Sequence, residues 1–279
     1  MTKVDIAYLK SWIGSERSVS DIITPRLAAS LNAVLDIDRV ASPGSPAPIG
    51  IHWCLAPDIV PMRAIGADGH PARGDFLPPV PFPRRMWAGG ELRFLGDFRV
   101  GDEVSRVSTV ENVELKTGRS GSLIFVTVRH RYLTARGVAL DERQDIVYRE
   151  LESAPRAPGQ APPPSEGGQT RHVEASPVLL FRYSAITFNG HRIHYDHPYV
   201  TGEEGYPGLI VHGPLQATLL LGLVSESRHG GLPQTFAFRS TRPLFSGGRM
   251  SLHVLEEKAQ MSAWITDQQG FVTMESLVS

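Results

Sequence analysis

The chain has 279 residues, of which 41% are apolar and 20% charged, and it carries a formal net charge of −1 with a pI near 6.8. That composition is globular, with room for one large domain or two, and it leaves no electrostatic footprint for nucleic acid or an anionic membrane. The single cysteine, Cys54, excludes an intrachain disulfide framework and suits a reducing compartment, so a cytoplasmic location is expected; in its apolar run beside Trp53 it reads as buried filler.

The first 40 residues read as helical and irregular, with no apolar core flanked by a cleavage site. Thr24-Pro25 is a helix start for the amphipathic run 26–36. A Pro/Gly-rich passage (42–50) precedes IGIHWCLAP, and residues 66–85 form a long loop containing Pro71, Pro78, Pro79, Pro81 and Pro83. Loops of that length are often lids or binding segments. From Met86 the hydrophobic period changes to two: 91–95, 102–115, 123–133 and 139–150 read as antiparallel strands, with a turn-rich break at 116–122. Residues 151–172 read as a Pro/Gly-rich linker that divides the chain into units 1–150 and 173–279. Three strand candidates close the second unit, at 234–245, 249–258 and 259–278, the last with a hairpin turn at 267–270.

Between the linker and those strands lies the stretch that carries the chemistry. Asn189, His191, His194, Asp196 and His197 fall within nine residues, with Gly190 to relax the backbone. The spacing of Asn189 and His194 suits a turn that delivers two side chains to one pocket. Downstream, His212-Gly213-Pro214 opens an apolar helix of about 15 residues, with Gly213 as the N-cap, Pro214 at the first helical position and Gly230-Gly231 as the C-cap. Polar and kinking residues at 212–216 make it a core helix rather than a membrane span. Its leucines leave little polar face, so its positive N-terminal end is expected to be buried beside the histidines. Four readings of this cluster stand open. They are a satisfied surface loop, a metal site on His191, His194, Asp196 and His197, a hydrolytic site, and acid–base chemistry beside an oxyanion-binding helix end. The metal reading has no standard ligand spacing behind it, and the acid–base reading is favoured.

The halves also share an order of parts. Residues 27–38 can be laid on 183–196, with Asn32 against Asn189; 49–52 falls near 208–212, and 94–102 resembles 238–248. In the first copy the helix slot after His52 is cut short by Pro57 and Pro61, which reads as a duplication whose N-terminal copy has lost its chemistry.

FRYSAITFNGHRIHYDHPY followed by GYPGLIVHGPL resembles the signature of the MaoC-like (type 2) enoyl-thioester hydratases, and within them the branch of 3-hydroxyacyl-thioester dehydratase 2 and the mesaconyl-C4-CoA and itaconyl-CoA hydratases. The N-terminal half is similar, more diffusely, to the MaoC-like N-terminal dehydratase domain. The resemblance implies an α+β double hot-dog fold, two antiparallel sheets each wrapping a central helix, and hydration of an enoyl-CoA. It implies that His194 moves the proton. Asn189 stands where the wider family has Asp, and since an amide is no base at neutral pH its role is to orient water. N–H groups at the Gly213–Leu215 helix start meet the thioester carbonyl. His191 supports the loop, Tyr206 and Pro207 shape the acyl pocket, and Arg239 and Arg242 meet coenzyme A phosphates or a distal carboxylate, unless they are solvated strand-end arginines. No metal or cofactor is expected beyond the coenzyme A arm of the substrate, and a homodimer is left open. A hot-dog thioesterase, a dehydratase acting on a carrier protein and a non-catalytic acyl-thioester module remain the rival readings.

Overall fold

Two capped turns open the halves of the chain in the same way. In the computed structural model, which describes residues 4–118, 121–150, 168–257 and 260–279, the Thr24 side chain accepts from the Leu27 N–H at the head of one helix, and the Ser176 side chain accepts from the Leu179 N–H at the head of another. A hydroxyl at the N-cap with proline in the first turn leaves few orphaned donors. After each helix a non-glycine residue takes a left-handed backbone, Asp36 (φ 57°) and Phe188 (φ 52°).

The first half comprises α1 (Ile6–Lys10), β1 (Glu16–Ile22), α2 (Pro25–Val34), β2 (Arg84–Phe94), β3 (Glu103–Gly118), β4 (Gly121–Thr134) and β5 (Gly137–Arg149). The second comprises β6 (Gln169–Glu174), α3 (Pro177–Ile186), α4 (His197–Gly202), α5 (Gly213–Ser227), β7 (Thr235–Ser240), β8 (Arg249–Glu257), β9 (Gln260–Thr266) and β10 (Val272–Val278). The strands form one sheet in the order β1-β3-β4-β5-β2-β7-β10-β9-β8-β6. From either edge inward, the two halves trace the same path, and they meet at an antiparallel seam running from Gly89 opposite Arg239 to Arg93 opposite Thr235.

Helix α5 is apolar on nearly every side, with Leu215, Leu219, Leu220, Leu221, Leu223 and Val224 all buried, and it packs on β7, β8 and β9. Such a helix is stable only when it is enclosed. Among the described residues the first half has no equivalent. The bridges Pro46–Arg99 and Ile210–Phe245 occupy matching places ahead of the helix slot, but the slot after the first bridge holds two short 3₁₀ turns, Ile51–Cys54 and Met62–Ala64. A second apolar cluster, with Leu9, Phe82, Val113, Ile124 and Tyr148, lies further along the long strands β3–β5.

The structure adjusts several expectations. The N-cap of α5 is His212, so Gly213 is the first helical residue, and the helix ends at Ser227 with Arg228 as its C-cap. The linker expected at 151–172 lies largely outside the described residues, but 169–172 belong to β6. The duplication is laid out differently in detail: α2 matches α3, which sets Asn32 against Ser184 rather than Asn189. The strands β1 and β6, and helix α3, are additions to the expected elements.

Candidate active site

Asn189 comes after the left-handed turn at Phe188 that carries the chain out of α3. Its Oδ1 accepts from the His191 backbone N–H at 2.9 Å. Only an oxygen can accept there, so the amide is fixed the right way round and Nδ2 is left as the donor. A 3₁₀ turn, Arg192–His194, then brings His194 inward, where it is 7% exposed. Its Nδ1–H donates to the Ile210 carbonyl at 2.7 Å, which leaves the lone pair on Nε2. One face of the ring stacks on His212, centroid to centroid at 3.6 Å, and His212 Nε2 hydrogen-bonds Ser184 Oγ at 2.8 Å. Burial pushes His194 down to about 4, the bond to Ile210 opposing it only in part. Burial likewise holds His191 and His212 well below the usual histidine range. At neutral pH these rings are uncharged.

His194, Asn189 and His191 line a cavity of about 280 Å³ that Gly213 and Pro214 also face. Helix α5 therefore starts at this cavity with its positive end. The His212 side chain makes no capping bond, Pro214 has no N–H, and the Gly213 N–H has no backbone acceptor among the described residues. A Cβ on Gly213 would lie 2.6 Å from Trp87 Cε3, so only glycine lets Trp87 close the wall there.

The opposite wall comes from the first half. The loop at 66–71 is clamped to the loop that carries Asn189 and His191: the Arg192 N–H donates to the Asp68 carbonyl at 2.9 Å and its guanidinium to the Ala67 carbonyl at 3.0 Å. The two backbones approach so closely that a Cβ on Gly69 would sit 1.9 Å from the Gly190 oxygen. This contact lays the His70 ring 4.1 Å from that of His191. On β5, Gln144 reaches the cavity and donates to Glu142 at 2.8 Å. Glu142 is wholly buried and also accepts from Trp53 Nε1 at 2.8 Å and Tyr132 at 3.0 Å. Burial works against its charge, but His52, His130 and the donated bonds outweigh it and hold the carboxyl below its ordinary range. Trp53 in turn meets Trp87 edge-on at 5.7 Å, so the chain of contacts from Glu142 ends at Gly213.

The other expected residues separate. Tyr206 lines the cavity, with the Arg84 guanidinium 5.0 Å over its ring and its hydroxyl accepting from Arg149 at 3.3 Å. Arg242 lines it too, stacked on Phe271 at 4.4 Å. Pro207 is exposed and is not part of the wall. Arg239 is also misplaced: Phe236 and Phe238 point inward on β7, so alternation turns Arg239 to the far face, where it is paired with Glu275. The metal set considered from the sequence does not converge, since Asp196 caps α4 and pairs with Arg192, and His197 is exposed. Asp68, His70 and His191 do bring donor atoms within 4.8 Å of one another, but Asp68 is already bonded to His70, and the positive charges of Arg85 and Arg73 bear on the same ring. His70, Arg85, Trp87 and Gln144 escaped the sequence reading. The one signal toward them was the long proline-rich loop that carries His70 and Arg85.

A family model described as hydroxyacyl-thioester dehydratase type 2 matches residues 50–246. The chain is 45% identical over 242 residues, 84% of each chain, to a mesaconyl-C(4)-CoA hydratase from Chloroflexus aurantiacus. Among solved structures it resembles a MaoC-like dehydratase (TM-score 0.73, 13% identity, 97% of this chain and 98% of that one). It also resembles a Mycobacterium tuberculosis protein described as having a double hotdog fold (TM-score 0.60, 13% identity, 95% of each chain). The architecture is thus the α+β double hot dog.

Proposed function

The chain belongs to the hydroxyacyl-thioester dehydratase type 2 family, and from that premise we propose that it is a hydro-lyase adding water reversibly to the double bond of an enoyl-CoA, the acyl group being a short dicarboxylic one of the mesaconyl-C4 type. The observation that carries the mechanism is the meeting, in one cavity, of an uncharged His194 with its lone pair on Nε2, the Asn189 amide and the start of α5. Asn189 Nδ2 donates to the attacking water and aims it, while His194 Nε2 takes its proton as the C3–O bond forms. The electrons of the double bond move toward the thioester oxygen, which the Gly213 N–H and the helix end stabilise as an enolate. The imidazolium then gives its proton to C2, so that H and OH have both been added and His194 is restored. A ring held down to about 4 surrenders that proton readily. In this reading Tyr206 shapes the acyl pocket, Arg242 meets an anionic part of the substrate, His191 supports the loop, and no group outside chain and substrate takes part.

The test is a panel of crotonyl-, long-chain enoyl-, mesaconyl-C4- and itaconyl-CoA, followed by loss of conjugated-enoyl absorbance with native protein and His194→Ala. Hydration of the dicarboxylic members, reduced about 10²–10⁴-fold in the variant, is the expected outcome. Turnover confined to monocarboxylic esters would point instead to a fatty-acid-type dehydratase, and release of free thiol without hydration to a thioesterase.

A further inference from the structure

Beyond the main cavity lies a second one of about 240 Å³, reaching into the half of the molecule that lacks a central helix. The two share a wall made by His70, Arg85, Gln144, Asn189 and Pro214. The second chamber is more polar than the main one: Arg106, Tyr132 and Asp58 join Arg85, His70 and Gln144 there, among apolar side chains such as Leu55. A methyl-ended acyl chain gains little from such surroundings, because each polar group it covers loses water without compensation.

Arg85 is the unusual member. It borders both chambers, yet its guanidinium makes no hydrogen bond and no ion pair among the described residues, while its backbone is held in the β2–β5 ladder opposite Tyr148. Three neighbouring arginines are engaged: Arg84 with Glu204, Arg73 with the carbonyls of Val80, Phe82 and Pro83, and Arg106 with the carbonyl of Ala56. Arg242, whose guanidinium has no hydrogen-bond or ion-pair partner among the described residues, lies over Phe271 and borders the main chamber without reaching the second. The positive charge of Arg85 is felt by His70 and His191, both of which burial keeps from becoming charged themselves. It is thus a cation at the boundary of the reacting centre with its planar fork uncommitted. A guanidinium in that condition suits a carboxylate, which it binds through two parallel hydrogen bonds.

In a short dicarboxylic enoyl thioester the free carboxylate is only one or two bonds from the carbon that receives water. With water at Asn189, that carboxylate must lie close to the shared wall. We propose that Arg85 is the specificity-determining residue that anchors the distal carboxylate of the acyl group at the junction of the two chambers. The inference rests on the dicarboxylic reading above and deepens it, replacing Arg239, which faces away from the site.

The test compares native protein with Arg85→Met and Arg85→Lys in kcat/KM for mesaconyl-C4-CoA and in Kd for free coenzyme A. Arg85→Met is expected to lower kcat/KM by about 10²-fold or more, chiefly through KM, with Kd for coenzyme A unchanged within about two-fold. Arg85→Lys, which keeps the charge but loses the fork, falls between. On the methyl ester of the same thioester, the native preference for the free acid should vanish in Arg85→Met. Parallel losses in kcat/KM and coenzyme A affinity would assign Arg85 to the coenzyme arm and overturn the inference, as would unchanged turnover of the free acid. Native protein that hydrates crotonyl-CoA but not mesaconyl-C4-CoA would instead overturn the substrate reading on which it rests.

Discussion

At the scale of residues, the site depends on a few atoms held by neighbours that do no chemistry. Ser184 and His212 fix the plane of His194, and the Ile210 carbonyl fixes its tautomer. Gly213 is defined by what it lacks. Trp87, backed by Phe238 at 4.7 Å and Trp53, occupies the space a side chain would need. Gly213→Ala should therefore push Trp87 from the wall and cost about 1–3 kcal/mol of stability. It should also lower kcat/KM by about 10–100-fold, and the added substitution Trp87→Leu should recover part of both. Denaturant titration and initial rates on the double variant check this; no recovery would mean that the clash is not the cause. Asn189, His194 and Gly213 were legible because they lie within 25 residues of one another in a stretch of marked composition. His70 and Arg85 were not, since the residues they share the cavity with, Asn189 and His191, lie in the other half of the chain, and no local period marks them. Arg239 was misread although the signal was present: with Phe236 and Phe238 inward on one strand, its neighbour must point outward.

At the scale of elements, the clamp between the 66–71 loop and the loop that carries Asn189 and His191 builds half the wall. Gly69 combines a φ of +87° with the close approach to Gly190. Gly69→Ala is strained in its backbone and has no room, so it should destabilise the protein by about 1–3 kcal/mol. It should separate His70 from His191 as well. Urea unfolding together with the ring chemical shifts of His70 and His191 would reveal it; a stable variant with unchanged shifts would contradict the clamp. Helices whose start carries a proline in the first turn ahead of an apolar run, and strands with clear alternation, could be read from the sequence, as α2, α5 and β3–β5 show, whereas α3, with a Ser176-Pro177 start of the same kind, was not. The edge strands β1 and β6 could not. ERSVSDI and QTRHVE alternate only between half-buried and exposed positions, so neither carries an apolar face to give a period of two. Polar edges of this kind also discourage pairing with another sheet.

At the scale of the whole molecule, the histidines set an acid limit. Unfolded histidine takes up its proton near 6.5, whereas His52 and His194 in the folded chain do so only at about 4, and burial also lowers His70, His130, His191 and His212. Between those limits the unfolded state binds more protons, so stability is complete above about pH 6.5 and declines as pH falls toward 4. Each strongly depressed histidine contributes about 1.4 kcal/mol per pH unit across that window. Calorimetry at pH 7.5 and 5.0 should show Tm lower at the acid pH by on the order of 10 °C; a constant Tm would refute it. The seam between β2 and β7 has a different kind of consequence. In a pair of identical single hot dogs, a substitution in the wall also lands in the catalytic copy, because both are read from one sequence. Here the two walls are written separately, Asn189 and His194 in one half and His70 and Arg85 in the other. Selection can therefore retune what the enzyme accepts without touching how it reacts.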